Sequence, residues 1–516
     1  MSTETPSQPS ATPPAPGTDK LDRQVLLVAG VVVLGAIMSI LDITVVSVAQ
    51  PTFQRVFSAT PAQTAWTMTG YTLALASVIP LTGWAADRFG TKRLYMLAVG
   101  LFTAGSVLCA TAGSVEVLTA FRVLQGLGGG MLMPLGMTIM TRAAGPERIG
   151  RVMAVLGVPM LLGPIFGPIL GGWLIDIASW HWIFLINLPI GAAALAYAAL
   201  VLPADSPTPS ESFDFVGMLL LSPGLALFLF GVSSIPEAGT VWSTRVLVSA
   251  AVGLLLVLGF VMRSLFRAPE HPLMDLQLFR NRALSVSVIA MSLFAIAFFG
   301  ASLLFPSYFL QVRGEDTLKA GLLLAPQGLG AMLTMPAAGI LTDRIGPGKI
   351  VLAGITVIVV GMAMFTTVGP DTSYTFLLAA LFVMGLGMGG TMMPIMTSAL
   401  QTLKDHEIAR GSTLMNITQQ IAASIGTALF SVLLTNGFES SRLAGPAIAS
   451  WSDPSIKAQV PAALIARGLR DAADAFGDVF LVATVLVALC LVPAFLLPRR
   501  KPAATGDPVA AASLMH

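Results

Sequence analysis

Gly83-Trp84-Ala85-Ala86-Asp87-Arg88-Phe89-Gly90-Thr91-Lys92-Arg93 is a short charged stretch between two long apolar runs. Its first eight residues return as Gly339-Ile340-Leu341-Thr342-Asp343-Arg344-Ile345-Gly346, at an offset of 256 residues. Pro51 and Pro306, at an offset of 255, each close the apolar run before the stretch. Gly126-Leu127-Gly128 and Gly385-Leu386-Gly387 repeat at 259, and Glu147 and Glu407 open the following runs at 260. Four landmarks in one order, with little drift, make the chain an internal duplication rather than a string of similar apolar segments.

The duplicated unit is a set of membrane-length runs. A spanning helix needs roughly 20 mostly apolar residues. Fourteen runs qualify: 25–49, 64–84, 94–113, 117–141, 152–175, 182–201, 215–235, 246–266, 283–306, 318–341, 350–368, 375–400, 411–436 and 479–497. Runs 1–6 match runs 9–14, and runs 7 and 8 stand between the copies as an insertion. An even number of spans separates the copies, so both cross in the same direction. A parallel repeat of this kind places a transport site between the halves, near the middle of the bilayer.

Composition agrees. Only 10% of the 516 residues are charged and 55% are hydrophobic, with a mean hydropathy of +0.83. An average soluble domain is about 25% charged, so this chain cannot coat a water-exposed surface of its own. Strands of an outer-membrane barrel alternate over about 10 residues and do not give runs of this length. Of the 28 Lys and Arg, nineteen fall on one side of the predicted membrane and eight on the other, with Arg122 inside a span. The positive-inside rule puts the first side, and both termini, in the cytoplasm. The loop near 202–213 runs against this bias, with only Asp205 and Glu211. Residues 1–24 carry five prolines and read as a disordered cytoplasmic tail rather than a signal peptide. Residues 498–516 are a second tail. The long outer loop 437–476 contains an amphipathic stretch at 462–476, read as a short helix on the membrane surface or a plain connector.

A net charge of +2 supplies no basic face for nucleic acid. The two cysteines, Cys109 and Cys490, lie in apolar runs, and the four histidines (His181, His271, His406, His516) are scattered, so no metal site or cofactor is expected. Gly385-Leu386-Gly387-Met388-Gly389-Gly390 fits G-x-G-x-x-G in form but sits inside an apolar span without a preceding strand. No phosphate-binding loop of the G-x-x-x-x-G-K-[ST] type occurs, so the chain lacks an ATPase engine of that kind. No enzyme motif remains.

Asp42 and Arg122 are the clearest charges within the spans. A charge in hydrocarbon costs at least ~2.5 kcal/mol, so such residues pair or face water. At 1.5 Å per residue, Asp42 lies roughly 10 Å and Arg122 roughly 8 Å from the outer ends of their spans, a shared depth. The pair reads either as a proton-coupling carboxylate tuned by a cation or as an ion pair tying two helices together. Met131, Met133 and Met137 occupy the span equivalent to that of Met388, Met392 and Met396. Methionine adapts its shape and suits permissive pockets as well as ordinary packing. Asn416, Gln419 and Gln420 share a helix face directed at a cavity or at another helix. With Gln125 and Gln327 these residues are the candidate cavity wall.

The loop Gly83-x-x-x-Asp87-Arg88-x-Gly90-x-Lys92-Arg93 is similar to the first cytoplasmic loop motif of the major facilitator superfamily. Over residues 20–500 the chain resembles the fourteen-span drug–proton antiporter branch of that family, the EmrB/QacA-like exporters. Leu41 through Ala49 resembles the branch's first-helix motif, with Ser47 in place of the usual Asn and Gln50 following where Leu is usual. Arg122-x-x-Gln125-Gly126-x-Gly128 resembles the fourth-helix motif. Gly157, Gly163-Pro164, Gly167-Pro168 and Gly171-Gly172 resemble the antiporter motif of the fifth helix. His271-Pro272-Leu273-Met274-Asp275-Leu276 resembles the segment before span 9. In Trp180-His181-Trp182, His181 replaces the usual Arg.

The resemblance implies an all-α fold of two six-helix bundles, 25–201 and 283–497, with the inserted helices in 202–282 at the periphery. It implies that Asp42 and Arg122 couple protons, and that the Asp87 loop locks the halves on the inner face, with Asp343-Arg344 as a weaker counterpart. It further implies that the 157–172 glycines make a leak-tight packed face. The expected activity is proton-driven export of amphipathic or cationic small molecules by a monomer in the cell membrane. A dedicated exporter of one metabolite, lipid or antibiotic, and a membrane sensor or scaffold, are the competing readings.

Overall fold

The computed structural model describes residues 22–499, apart from 146–147, 206–212, 239, 241, 268–272, 405–406 and 452–458. The predicted tails, Glu147, His271, Pro272, His406 and Glu211 therefore lie outside the described residues, except for residues 22–24 and 498–499. Within the fifth helix the side chains of Pro164 and Pro168 are likewise outside them.

The described elements are helical. In chain order they are α1 (Arg23–Val56), α2 (Pro61–Phe89), α3 (Thr91–Ala110), α4 (Val115–Ala144), α5 (Ile149–Ile177), α6 (Trp182–Leu185) and α7 (Asn187–Val201). Then come α8 (Phe215–Ser233), α9 (Ile235–Ala238) and α10 (Thr244–Arg267), followed by α11 (Arg282–Gln311), α12 (Thr317–Leu323), α13 (Ala325–Ile345) and α14 (Pro347–Met364). The chain ends with α15 (Tyr374–Gly389), α16 (Met392–Leu400), α17 (Ile408–Glu439), α18 (Ala444–Ala449), α19 (Ala462–Leu489) and α20 (Leu491–Leu496). Among the described residues, 12 helical segments are long and apolar enough to cross a membrane. α2 and α5, of 29 residues each, fall at the remaining two predicted runs. Each is about 43 Å long at 1.5 Å per residue, enough for the ~30 Å hydrocarbon core.

Two expectations are corrected. Pro51 and Pro306 do not close their spans: α1 runs on to Val56 and α11 to Gln311 with each proline inside the helix. Neighbouring helices compensate the backbone group a proline frees in a membrane helix. The stretch 462–476 is neither a surface helix nor a connector. It is the first half of α19, continuous with the last span. Its apolar side is committed to the bundle, because Gly468, Ala472, Ala473, Ala475 and Phe476 are buried. Since α17 also extends to Glu439, the outer connection shortens to 440–461. Of the inserted helices, α8 packs against both α2 and α17, bridging the copies, and α10 stacks on α8. Just 17% of α10's most apolar window is buried, which leaves a broad hydrocarbon-facing surface.

Inside each copy the motif glycines set how closely helices approach. A Cβ on Gly128 of α4 would stand 2.5 Å from Phe102 N of α3. A Cβ on Gly387 of α15 would stand 2.5 Å from Gly354 O of α14. Such contacts require glycine, and the match at the predicted offset shows the two copies packing their third and fourth spans alike.

Candidate functional site

α1, α3, α4 and α7 converge on Asp42. Its side chain and that of Arg122 are both 0% exposed, and Arg122 Nη1 is ion-paired to Asp42 Oδ2. The shared depth read from the sequence becomes direct contact. Gln125, one turn after Arg122, donates from Nε2 to Asp42 Oδ1 at 2.8 Å and accepts from Arg122 Nη1 at 2.7 Å. Asn187, the first residue of α7, donates from Nδ2 to Asp42 Oδ1 at 3.3 Å and to Ser106 Oγ at 2.9 Å. Ser106 in turn donates to Phe184 O at 2.9 Å. Arg122 Nε donates to Thr67 O at 3.1 Å, and its guanidinium carbon lies 4.1 Å from the Tyr71 ring centroid. Removing two charges from water costs several kcal/mol per ion. Three hydrogen-bonded neighbours and a cation–π contact offset that cost only while both charges stay in place.

Gln125 therefore belongs to this buried network rather than to an open cavity wall. Asn187, Ser106, Thr67 and Tyr71 were not singled out from the sequence. Ser106 and Asn187 lie in apolar runs, Thr67 and Tyr71 in a stretch rich in threonine, and none carries a charge that would mark it.

The antiporter-motif glycines divide between two partners. Gly163, Gly167 and Gly171 face α1 at Ile40, Thr44 and Val45, on either side of Asp42, and Thr44 Oγ1 donates to Gly163 O at 3.2 Å. Gly157 faces the second copy, where Met335 and Met393 fill the space a side chain would take. Gly172 has nothing within 4 Å of its Cβ position. The motif thus lets α5 seat the Asp42 helix on one side and the second copy on the other.

At the basic face, the end of the bundle richest in Lys and Arg, the two copies meet along two seams. Asp343 accepts from Gly150 N at 2.8 Å and Arg151 N at 3.3 Å, capping the N-terminus of α5, and its Oδ2 is 3.3 Å from Arg151 Nε. Asp87 meets the first turn of α17 through Arg410 Nε at 3.8 Å and also pairs with Arg142 at 3.3 Å. Asp343, read as the weaker counterpart, caps a helix of the other copy through backbone amides. The cause is Gly150, whose missing side chain lets the carboxylate reach the amides; a Cβ there would be 2.6 Å from Asp343 Oδ1.

The rest of the first loop serves its own half. Gly90 has φ +94° and links α2 to α3, a conformation suited to glycine. Asp205 accepts from Lys92 N at 2.8 Å and Arg93 N at 3.0 Å, capping α3. Lys92 Nζ donates to Ala199 O and Leu202 O at 2.7 and 2.8 Å, closing the end of α7. The acidic residue that ran against the charge bias is thus a helix cap. Arg88 is half-buried, and Arg93 and Arg344 are exposed. A cavity of about 650 Å³ opens here, lined in part by Asp22, Asp87, Asp205, Arg142 and Arg410. A second ion pair missed from the sequence, Asp214–Arg263 at 2.8 Å, ties α8 to α10.

Of the candidate cavity residues, Met137 and Met396 are fully buried. Met133, Gln327, Met392, Asn416, Gln419 and Gln420 are half-buried. Asn416 Nδ2 reaches Met137 Sδ at 3.3 Å across the copies, and Gln327 Nε2 reaches Met388 Sδ at 3.2 Å. Gln420 sits among Ala76, Ile79, Leu225 and Leu229, between α2 and α8. The structure thus joins Asn416 to the methionine stripe but turns Gln420 toward the inserted helix. His181 stacks on Trp180 with centroids 3.9 Å apart and bonds Ser179 Oγ at 3.2 Å. Cys109 and Cys490 are buried thiols.

Comparison with known proteins gives one consistent result. Residues 32–427 match the model of the Major Facilitator Superfamily. The chain is 51% identical over 496 residues to a multidrug resistance protein B homolog of Mycobacterium tuberculosis, covering 94% of this chain and 92% of that protein. It is 33% identical over 407 residues to the multidrug export protein EmrB of Haemophilus influenzae, covering 78% and 79%. Among solved structures, the human organic anion transporter MFSD10 superposes with a TM-score of 0.61 at 18% identity, covering 90% of this chain and 100% of that one. The last likeness speaks for the fold alone.

Proposed function

The chain belongs to the major facilitator superfamily, and from that premise we propose that it is a secondary active exporter that couples inward proton movement to the efflux of amphipathic or cationic small molecules. Its family is one of membrane transporters of small molecules, and relatives at 51% and 33% identity bear multidrug names. Proton coupling is the further step. The observation that carries it is the buried Asp42–Arg122 pair, with Gln125 and Asn187 completing its surroundings.

A carboxylate in the middle of a bundle, held by one cation and two amides, has two stable settings. Ionised, it binds Arg122 and holds α1 against α4. Protonated, it loses the charge that repaid burial of the guanidinium, and the contacts between α1 and α4 weaken. In this conformation the pair is sealed, so a proton reaches Asp42 only when the bundle opens. That is the requirement of alternating access: the site meets one side at a time. The basic-face seams at Asp343 and Asp87 hold the copies together there in the conformation described. Reciprocal linkage then ties proton binding to substrate binding. In this reading the protein is a monomer in the cell membrane, with both termini in the cytoplasm and no cofactor.

The test is efflux of a cationic dye from reconstituted vesicles under an imposed proton gradient, with internal pH recorded at the same time. Wild-type protein should move protons against substrate. Asp42→Asn should abolish proton-driven transport, and Asp42→Glu should retain part of it. Undiminished coupling in Asp42→Asn would place the proton site elsewhere and leave the Asp42–Arg122 pair a structural tie.

A further inference from the structure

The hydrogen-bond directions around Asp42 pose a problem that proton uptake must solve. A neutral carboxyl group carries a proton to donate, yet the recorded neighbours of this one are donors: Arg122 Nη1, Gln125 Nε2 and Asn187 Nδ2. Protonation of Asp42 as it stands would leave the new O–H without an acceptor in a dry site, which is costly. Something must turn.

Arg122 has no acceptor to offer. Gln125 is anchored, because its Oε1 already accepts from Arg122 Nη1 at 2.7 Å and from Cys109 Sγ at 3.7 Å. Turning its amide would break both. Asn187 is held differently. Its Nδ2 serves Asp42 and Ser106, and Ser106 is a hydroxyl that can reverse its own bond. If the Asn187 amide turns over, its Oδ1 accepts the new proton on Asp42 Oδ1, and Ser106 rotates to donate to the same oxygen. Asp42 then gains one proton, Asn187 changes from donor to acceptor toward it, the Asn187 N–H groups turn to the side that Oδ1 leaves, and Ser106 releases the carbonyl of Phe184.

We propose, building on the reading of Asp42 as the proton site, that Asn187 is the positioning residue that turns its side-chain amide to accommodate the proton. The turn passes the protonation state to α3 and to the α6–α7 junction through Ser106 and Phe184 O. The other titratable groups packed around Asp42 are Arg122 from α4, Tyr71 from α2 and Cys109 from α3. α5 presents Gly163, Gly167 and Gly171, and α7 presents Asn187 itself. Among these groups, Asn187 has the least to break in reversing its role. The released carbonyl sits at the α6–α7 junction, where Ile186 keeps helical dihedrals, so the change passes into one continuous span.

The experiment is infrared difference spectroscopy of the full-length protein in lipid nanodiscs, titrated with acid; it needs no transported substrate. Wild-type protein should show a protonated-carboxyl band that Asp42→Asn lacks, rising together with a change in a side-chain amide band. Asn187→Leu, of similar size, should remove the amide change. It should also shift the frequency of the carboxyl band, because the protonated group loses the amide oxygen that accepts its hydrogen bond. Ser106→Ala keeps the amide but removes the acceptor that holds its orientation, and should shift the band by a smaller step. It guards against Asn187→Leu failing to fold. If the carboxyl band in both variants keeps the wild-type frequency, Asn187 has no such role. If the wild-type band is unchanged in Asp42→Asn, the proton-site reading itself fails, and this inference with it.

Discussion

The seam between α5 and α13 and the seam between α2 and α17 join the same two halves at the same face of the bundle, and each carries one copy of the repeated loop. In the first, Gly339 and Gly150 meet backbone to backbone: a Cβ on Gly339 would be 2.8 Å from Gly150 O. Asp343, with its side chain 3% exposed, reaches past them to cap α5. In the second, a Cβ on Gly83 would meet Thr413 Oγ1 at 3.1 Å and Ala409 O at 3.4 Å. Asp87 there, with its side chain 9% exposed, answers Arg142, 34% exposed, and Arg410, 15% exposed. The same carboxylate in the same loop thus does two jobs, decided by what faces it. A buried cap on backbone amides has no substitute partner. The Asp87 carboxylate faces two guanidinium groups at the edge of the basic-face cavity. The first seam rests on backbone amides, and the second carries side-chain ion pairs.

Four perturbations separate the seams, here in falling order of effect. Asp343→Ala strands two amides and the Arg151 guanidinium in a buried place and should cost about 3 kcal/mol or more. Asp87→Ala, whose partner Arg142 is 34% exposed and can turn to water, should cost less. Thermal unfolding in one detergent reads both, and equal losses would erase the distinction. Gly339→Ala forces backbone apart and should cost about 1–3 kcal/mol, whereas Gly83→Ala meets a hydroxyl that can turn aside and should cost less. Asp87→Asn should lower dye efflux at matched protein level while leaving membrane insertion intact, because Arg88, Lys92 and Arg93 remain. Full efflux in that variant would remove Asp87 from gating. The smallest effect is ionic. Raising salt to about 1 M shortens the screening length to about 3 Å, which should weaken the Asp87 seam and leave the Asp343 seam unchanged, as read by cross-linking rates between cysteines placed across each.

How much of this was legible in the chain follows from the same contrast. The duplication was, because a charged loop between apolar runs is conspicuous and its spacing is kept at 256 residues. The meeting of Asp42 and Arg122 was, because both sit at one depth and neither can be left alone in hydrocarbon. The backbone cap made by Asp343 was not, since both loops read alike and the room for its carboxylate comes from Gly150, distant in the chain. Asp205 looked like a breach of the charge bias because its partners, Lys92 N and Arg93 N, are more than a hundred residues away. Asn187 and Ser106 were silent because a single amide or hydroxyl in an apolar run reads as packing until its partner is seen. The stretch 462–476 misled by its amphipathic pattern, which suits a helix on a surface and a helix entering a bundle equally well.

The central claim is that protonation of Asp42 decides whether the basic-face seams stay joined. It is tested most directly by measuring, in nanodiscs and without substrate, the distance between labels at positions 93 and 349, both exposed on that face in opposite halves, as pH is lowered. The two buried cysteines are replaced beforehand. The account predicts a pH-dependent change in distance in the otherwise wild-type protein and a distance independent of pH in Asp42→Asn. The same pH dependence in both proteins would contradict it.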